Sequence, residues 1–255
     1  MSYLFAFIAE TTLVKSSDLY IMARAIEKAA QACALVWGKE PPAIDVFEKR
    51  TALPEFCQPV VFIDDSTDPG ALADHYWDPV RLQPAARVWA NRASGGLFTG
   101  PASQSVAASH EVLEALGDPS CLDELPCPGR EGVSIALELC DPVQDSYVVE
   151  TPNGEVSVAN YVLPAFFDPV LADPESAKTF RSTGGLFDAL GTLFCAGQIG
   201  PSGYAILSDA TDTWLEGPNG PFQLAANSSK RHPWARTARR LEQREMARRK
   251  VNADG

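Results

Sequence analysis

The run Ser109-His110-Glu111-Val112-Leu113-Glu114 sets an imidazole and a carboxylate four residues apart. On a helix that spacing leaves the two side chains about 40° apart around the axis, so His110 and Glu114 face the same way and can grip one metal ion. Glu111 stands about 100° round from His110. From there it can take a proton from a water at the ion rather than bind the ion itself.

In the HExxH pattern two histidines one turn apart hold zinc, and the Glu between them is the base. Here Glu114 replaces the second histidine, so the pattern is HExxE. A carboxylate is the harder ligand and adds negative charge, which moves the preference toward calcium, magnesium or manganese. Two ligands do not complete a site. Asp118 lies eight residues past His110, on the same stripe if the helix reaches that far. Glu138 and Asp141 end a predicted strand at Pro142, where a bend between them would aim both carboxylates at one ion.

Other residues offer less. His75, ahead of Tyr76-Trp77-Asp78-Pro79, reads as a loop residue, packed or solvated, although its place beside the presumed cleft would also let it reach substrate or metal. His232 lies in a basic tail where no site is expected. Tyr147, Tyr161 and Tyr204 suit core packing better than oxyanion binding. Gly95-Gly96 and Gly184-Gly185 lack the lysine and the strand–helix context of a phosphate loop.

The elements that must carry these residues follow from periodicity. Tyr3–Ala9 is an apolar run of the kind that forms a buried strand. A helix follows, capped by Ser16, Ser17 or Asp18 and running to about Trp37, with Gly38 and Pro41-Pro42 ending it. Strands are predicted at Ala43–Glu48, Pro59–Ile63 and Ala85–Asn91, then a Gly-rich loop over Ala93–Pro101 and the His110 helix over Ala102–Leu116. Further strands are predicted at Val133–Cys140, Ser146–Glu150 and Glu155–Ala159, the last two flanking an Asn153-Gly154 hairpin signal. Leu186–Phe194 is predicted helical and Gly203–Leu207 a last strand. Arg236–Lys250 is a charged helix candidate.

Charged residues are 21% of the 255, too few for a disordered chain, and the net charge is −12. Residues 228–255 hold nine Lys or Arg against three acids, a net +6, which leaves −18 on residues 1–227. That acidic body argues against nucleic-acid binding by the main domain, while the tail suits an acidic protein partner or nucleic acid. No apolar run reaches the ~18 residues of a membrane span, so no membrane partner is expected. The first residues lack the basic stretch of a signal peptide. The expected location is cytoplasmic, with six free cysteines.

Read as a unit, residues 71–168 resemble a known family. The residues that carry the likeness are His75, Arg87-Val88-Trp89, Ser109-His110-Glu111 with Glu114, Gly117 and Asp118-Pro119, Glu138 with Cys140-Asp141-Pro142, and Tyr161 to Phe167. They resemble bacterial and phage-encoded proteins marked by a SHExxExxxDP…ExCD signature, with a similar form in plant exordium-like proteins. That family is similar to zincin and metzincin metalloproteases. The resemblance implies a zincin-like α/β (α+β) fold: a mixed β-sheet with a long N-terminal helix and a metal-site helix, then a loop-rich β-hairpin subdomain. It places a single domain at 1–227, with sheet and metal helix in 1–120 and the loop-rich part in 121–227, before the basic tail at 228–255. Before the metal helix, the preceding strand would run along the edge of an open cleft.

Carried across, His110, Glu114, Asp118, Glu138 and Asp141 are the metal or metal-orienting set and Glu111 is the catalytic base. Where metzincins have HExxHxxGxxH/D, Ser120 stands at the third-ligand position. The expected function is a metal-dependent, peptidase-like hydrolase using zinc, or else calcium or another divalent ion, on a peptide substrate. The alternative is a non-catalytic zincin-like structural, virion or assembly protein with a structural metal and a partner-binding tail.

Overall fold

A computed structural model describes residues 4–64, 72–78, 81–92, 95–173, 183–211 and 213–222. The predicted loop at 64–70, apart from Asp64, and the basic tail with its helix candidate lie outside them.

Strand β1 (Leu4–Glu10) is followed by α1 (Ser16–Trp37), β2 (Ala43–Phe47), β3 (Cys57–Ile63), β4 (Ala73–Asp78), β5 (Gln83–Trp89) and α2 (Gln104–Gly117). The five strands form one mixed sheet in the order β2-β1-β3-β5-β4. The β1–β2, β1–β3 and β3–β5 pairs are parallel, whereas β4 runs antiparallel to β5. A parallel pair needs a long crossover, which the 22 residues of α1 supply between β1 and β2. β4 and β5 instead meet as a hairpin, with Asp78 opposite Gln83. α1 lies over β1 and β2, α2 over β5 and β4, and the two helices touch each other.

Helix α1 starts one residue earlier than expected. Lys15 occupies the cap position, and its backbone N–H donates to the Asp18 carboxylate at 2.9 Å. Gly38 closes the other end in the left-handed region, at φ 63°. For α2 the cap is Ser103, whose hydroxyl accepts from the Val106 N–H at 3.3 Å. The Gly-rich turn ahead of it takes up further first-turn donors, through Gly96 O to the Gln104 N–H and Leu97 O to the Ser105 N–H.

The second half is antiparallel. β6 (Glu124–Pro126), β7 (Ser134–Ala136), β10 (Ala205–Ser208), β11 (Thr213–Gly217) and β12 (Gly220–Phe222) form a sheet in the order β12-β11-β10-β7-β6. β8 (Ser146–Thr151) and β9 (Gly154–Ala159) make the expected hairpin, and α3 (Pro164–Phe167) is a single turn after it. β9 packs on α2 and both hairpin strands on α1. One apolar cluster runs from Phe5 and Phe7 through Leu113 and Leu116 to Tyr161, Phe166 and Leu207, so both halves share a core. Among the described residues no helix is long and apolar enough to cross a membrane.

Two sequence expectations need correction. The strand over Val133–Cys140 shrinks to Ser134–Ala136. Beyond it the backbone serves three different segments: the Leu137 N–H goes to Asp123 O, Leu139 O takes the Val162 N–H, and Asp141 O takes the Tyr204 N–H. No single ladder can form there. Leu186–Phe194 is irregular rather than helical, because the buried Asp188 carboxylate accepts the Leu193 N–H at 2.8 Å and the Thr192 hydroxyl at 2.9 Å. β5, the strand preceding α2, is interior, with Val88 and Trp89 buried between β3 and β4; the terminal strand is β4.

Candidate metal centre

Three pieces of chain meet at the C-terminal half of α2: the helix itself, β4, and the segment 138–141 after β7. Small residues and short polar bonds set the spacing between them. Ser109 Oγ donates to Val106 O at 3.0 Å and accepts the Ala159 N–H at 2.8 Å, pinning α2 to β9. Ser105 Oγ donates to Ser157 O at 2.7 Å one turn earlier. Gly117, in the last turn, has no side chain because Leu139 fills the place: a Cβ there would sit 2.6 Å from Leu139 Cγ. On the far side Gly203 lets the chain pass against the Pro142 carbonyl, where any Cβ would collide. The Cys140 thiol donates to His110 O at 3.8 Å.

β4 contributes His75. Its register is held by the cross-strand pair Asp74–Arg87, a bidentate bond with Nε–Oδ1 at 2.9 Å and Nη2–Oδ2 at 2.6 Å. The Arg87 guanidinium also sits 4.6 Å over the Tyr76 ring. With Asp74 and Tyr76 committed to one face, His75 must point to the other, opposite the small Ala86 and toward α2.

Six side chains converge there. His110 Nε2 lies 2.8 Å from Glu114 Oε1 and 3.2 Å from Asp141 Oδ1. His75 Nδ1 lies 3.1 Å from both Glu111 Oε2 and Glu114 Oε2, and its Nε2 lies 3.8 Å from Glu138 Oε2. Two groups, His110–Glu111–Glu114 and His75–Glu114–Glu138, each bring one donor atom per residue within 4.8 Å of one another. Donors about 2.1 Å from a tetrahedral ion stand about 3.4 Å apart, which falls inside the observed range. The His110 Nε2 contacts with Glu114 and Asp141 are short. The His75 Nε2 is buried and has no hydrogen-bond partner. The residues therefore fit a divalent ion.

The surroundings are nearly dry. Side-chain exposure is 0–3% for His75, Glu111, Glu114, Glu138 and Asp141, and 13% for His110. Burial opposes a charged imidazole at both histidines, yet their pKa values stand well above the ordinary range. Cys121 and Glu138 raise that of His75, and Glu114, with Asp141, that of His110. An ion in the chamber would take over the role those protons play, since ligand imidazoles bind neutral.

The chamber thus gathers His110, Glu114, Glu138 and Asp141 with Glu111. Asp118 belongs to neither donor group. It caps α2, accepting from Ser120 Oγ at 2.8 Å and the Asp123 N–H at 3.0 Å, and so shapes the turn that delivers Cys121 to His75. His75, read as a loop residue, is instead a strand residue in the middle of the site. Alternation of apolar and polar residues was the available signal for β4, but Ala73-Asp74-His75-Tyr76-Trp77-Asp78 carries it weakly.

The chain matches no protein-family model, no curated protein and no solved structure.

Proposed function

We propose that this chain is a metal-dependent hydrolase of the peptidase type, with the ion held by His110, Glu114 and Asp141 and with Glu111 as general base. The observation that carries the reading is the meeting of two carboxylate oxygens, at 2.8 and 3.2 Å, on His110 Nε2, with Glu111 in the same donor group. Three protein donors and a neighbouring carboxylate are what a hydrolytic metal site uses. His110 is also the most exposed of the six side chains, so a substrate has its approach on that side. The mixed sheet, with an antiparallel terminal strand beside the helix that bears the donors, supports the zincin-like assignment and with it a peptide substrate.

A divalent ion there would supply Lewis acidity, to polarise a carbonyl and acidify a water. The chain's own groups do the rest. Glu111 takes the proton of the attacking water and returns it to the leaving amine. His75, hydrogen-bonded to Glu111 Oε2 at 3.1 Å, holds that carboxylate in one orientation. The dry surroundings strengthen each of these charge interactions. Zinc suits the imidazoles, and manganese tolerates the carboxylate-rich shell better than calcium tolerates the imidazoles.

One observation favours a second reading, in which the ion is structural: four carboxylates at 0–3% exposure make a closed shell. The test is peptide hydrolysis by the metal-loaded chain and by Glu111→Gln. The hydrolase reading expects turnover that falls about 10²–10⁴-fold in the variant, with the ion retained. Equal inactivity in both proteins, with stability lost on chelation, would select the structural reading.

A further inference from the structure

The donor set is larger than one ion can use. A tetrahedral zinc takes four donors, whereas six side chains converge here. Calcium takes six to eight, but from oxygens, and two of these six are imidazoles. The donors also divide. His110 Nε2 is against Oε1 of Glu114, and His75 Nδ1 is against Oε2 of the same carboxylate. Glu114 is the one residue common to the His110–Glu111–Glu114 and His75–Glu114–Glu138 groups.

His75 supplies a separate indication. Its side chain is 3% exposed, and its Nε2 has no hydrogen-bond partner while facing Glu138 Oε2 at 3.8 Å. A buried imidazole nitrogen in that state is unfavourable unless something binds it. With the proton on Nδ1, donated to Glu111, the Nε2 lone pair is left for a cation.

We propose that the chamber holds two divalent transition cations: one on the His110 side and a second on His75, Glu114 and Glu138, with the Glu114 carboxylate bridging them. This rests on the preceding reading for the first ion and adds the second. Charge agrees with it. Glu111, Glu114, Glu138 and Asp141 carry four negative charges when ionised, and two divalent ions balance them with both histidines neutral. Carboxylate-bridged ion pairs stand about 3.5–4 Å apart, a span one carboxylate can bridge.

The experiment is saturation of the full chain with Mn²⁺, and separately Zn²⁺, followed by equilibrium dialysis and elemental analysis, with the Mn²⁺ spectrum read by electron paramagnetic resonance. Wild type should bind two ions per chain and show a spin-coupled Mn²⁺ pair. His75→Ala and the near-isosteric Glu138→Gln should each bind one and show an uncoupled signal, with the fold verified by circular dichroism. One ion per wild-type chain, lost in His110→Ala but kept in His75→Ala, would overturn the second site and leave the first standing. No ion in the wild type would overturn both readings. Two ions in Glu138→Gln, or none in a folded Glu138→Gln, would overturn the assignment of His75 and Glu138 to a separate ion.

Discussion

Nδ1 of His75, on the terminal strand of the main sheet, lies 3.1 Å from Oε2 of Glu111, on the helix packed beside it. A strand and a helix 36 residues apart in sequence thus place a base against the carboxylate that the helix motif singles out. The contact exists only while β4 keeps its register, and β4 is held by Asp74 and Arg87. Arg87→Leu is therefore expected to weaken metal binding tenfold or more with no change to any donor residue. Isothermal titration with Mn²⁺ measures this; an unchanged affinity would show that the pair does not control His75.

If the chamber holds an ion, removing it should destabilise the chain. An ion present at 100 times its Kd stabilises by about 2.7 kcal/mol, and for a chain of this length that is roughly 5–10 °C in Tm. Scanning calorimetry with and without a chelator measures the difference. A Tm unmoved by chelation would mean that no ion contributes to the fold.

Gly117→Ala tests the packing that sets the 138–141 segment. The new methyl would meet the buried Leu139 side chain, whose neighbours are Glu138 and Cys140. Glu138 and Asp141 should move outward, and metal affinity should drop more than global stability. Parallel titration and urea unfolding separate the two effects. A variant that loses stability yet binds metal at wild-type affinity would contradict this account.

Ser109→Ala should cost about 1–3 kcal/mol, because the buried Ala159 N–H loses its acceptor and α2 its tie to β9. A lower urea midpoint at constant slope would bear this out. No change in the midpoint would show that the serine is not structural.

Glu216 carries the acid-side dependence. The hydrogen bonds from Arg130, one of them at 2.6 Å, outweigh the cost of burial and lower its pKa below the ordinary value. A depressed carboxylate pKa contributes stability that is present above the unfolded value and lost as the pH falls through the folded one. Glu216→Gln should therefore differ from wild type at neutral pH and converge with it in acid. Parallel curves at every pH would contradict the pairing.

Much of the fold is legible because it is local. The apolar run of β1, the amphipathic spacing of α1 and the Asn153-Gly154 turn each depend on neighbours within a few residues. Leu186–Phe194 shows the limit. Its composition suits a helix, but a distant Asn160 side chain and the Asp188 carboxylate organise the backbone otherwise.

The candidate site divides in the same way. His110, Glu111 and Glu114 could be read from spacing alone, since one helical turn fixes their relation wherever the helix lies. Glu138 and Asp141 could be named but not oriented, because the segment that holds them bonds to three separate parts of the chain. Asp118 looked like a donor and is a cap, its carboxylate drawn to the turn that follows. His75 could not be assigned from sequence. A strand residue points to one face or the other according to a register set by its partner strand, and here that register rests on Arg87 across the hairpin. The sequence alone determined that a helix with HExxE donor spacing is present; only the tertiary structure decided that a histidine from the sheet joins those donors, because strand register, not local spacing, aims it there.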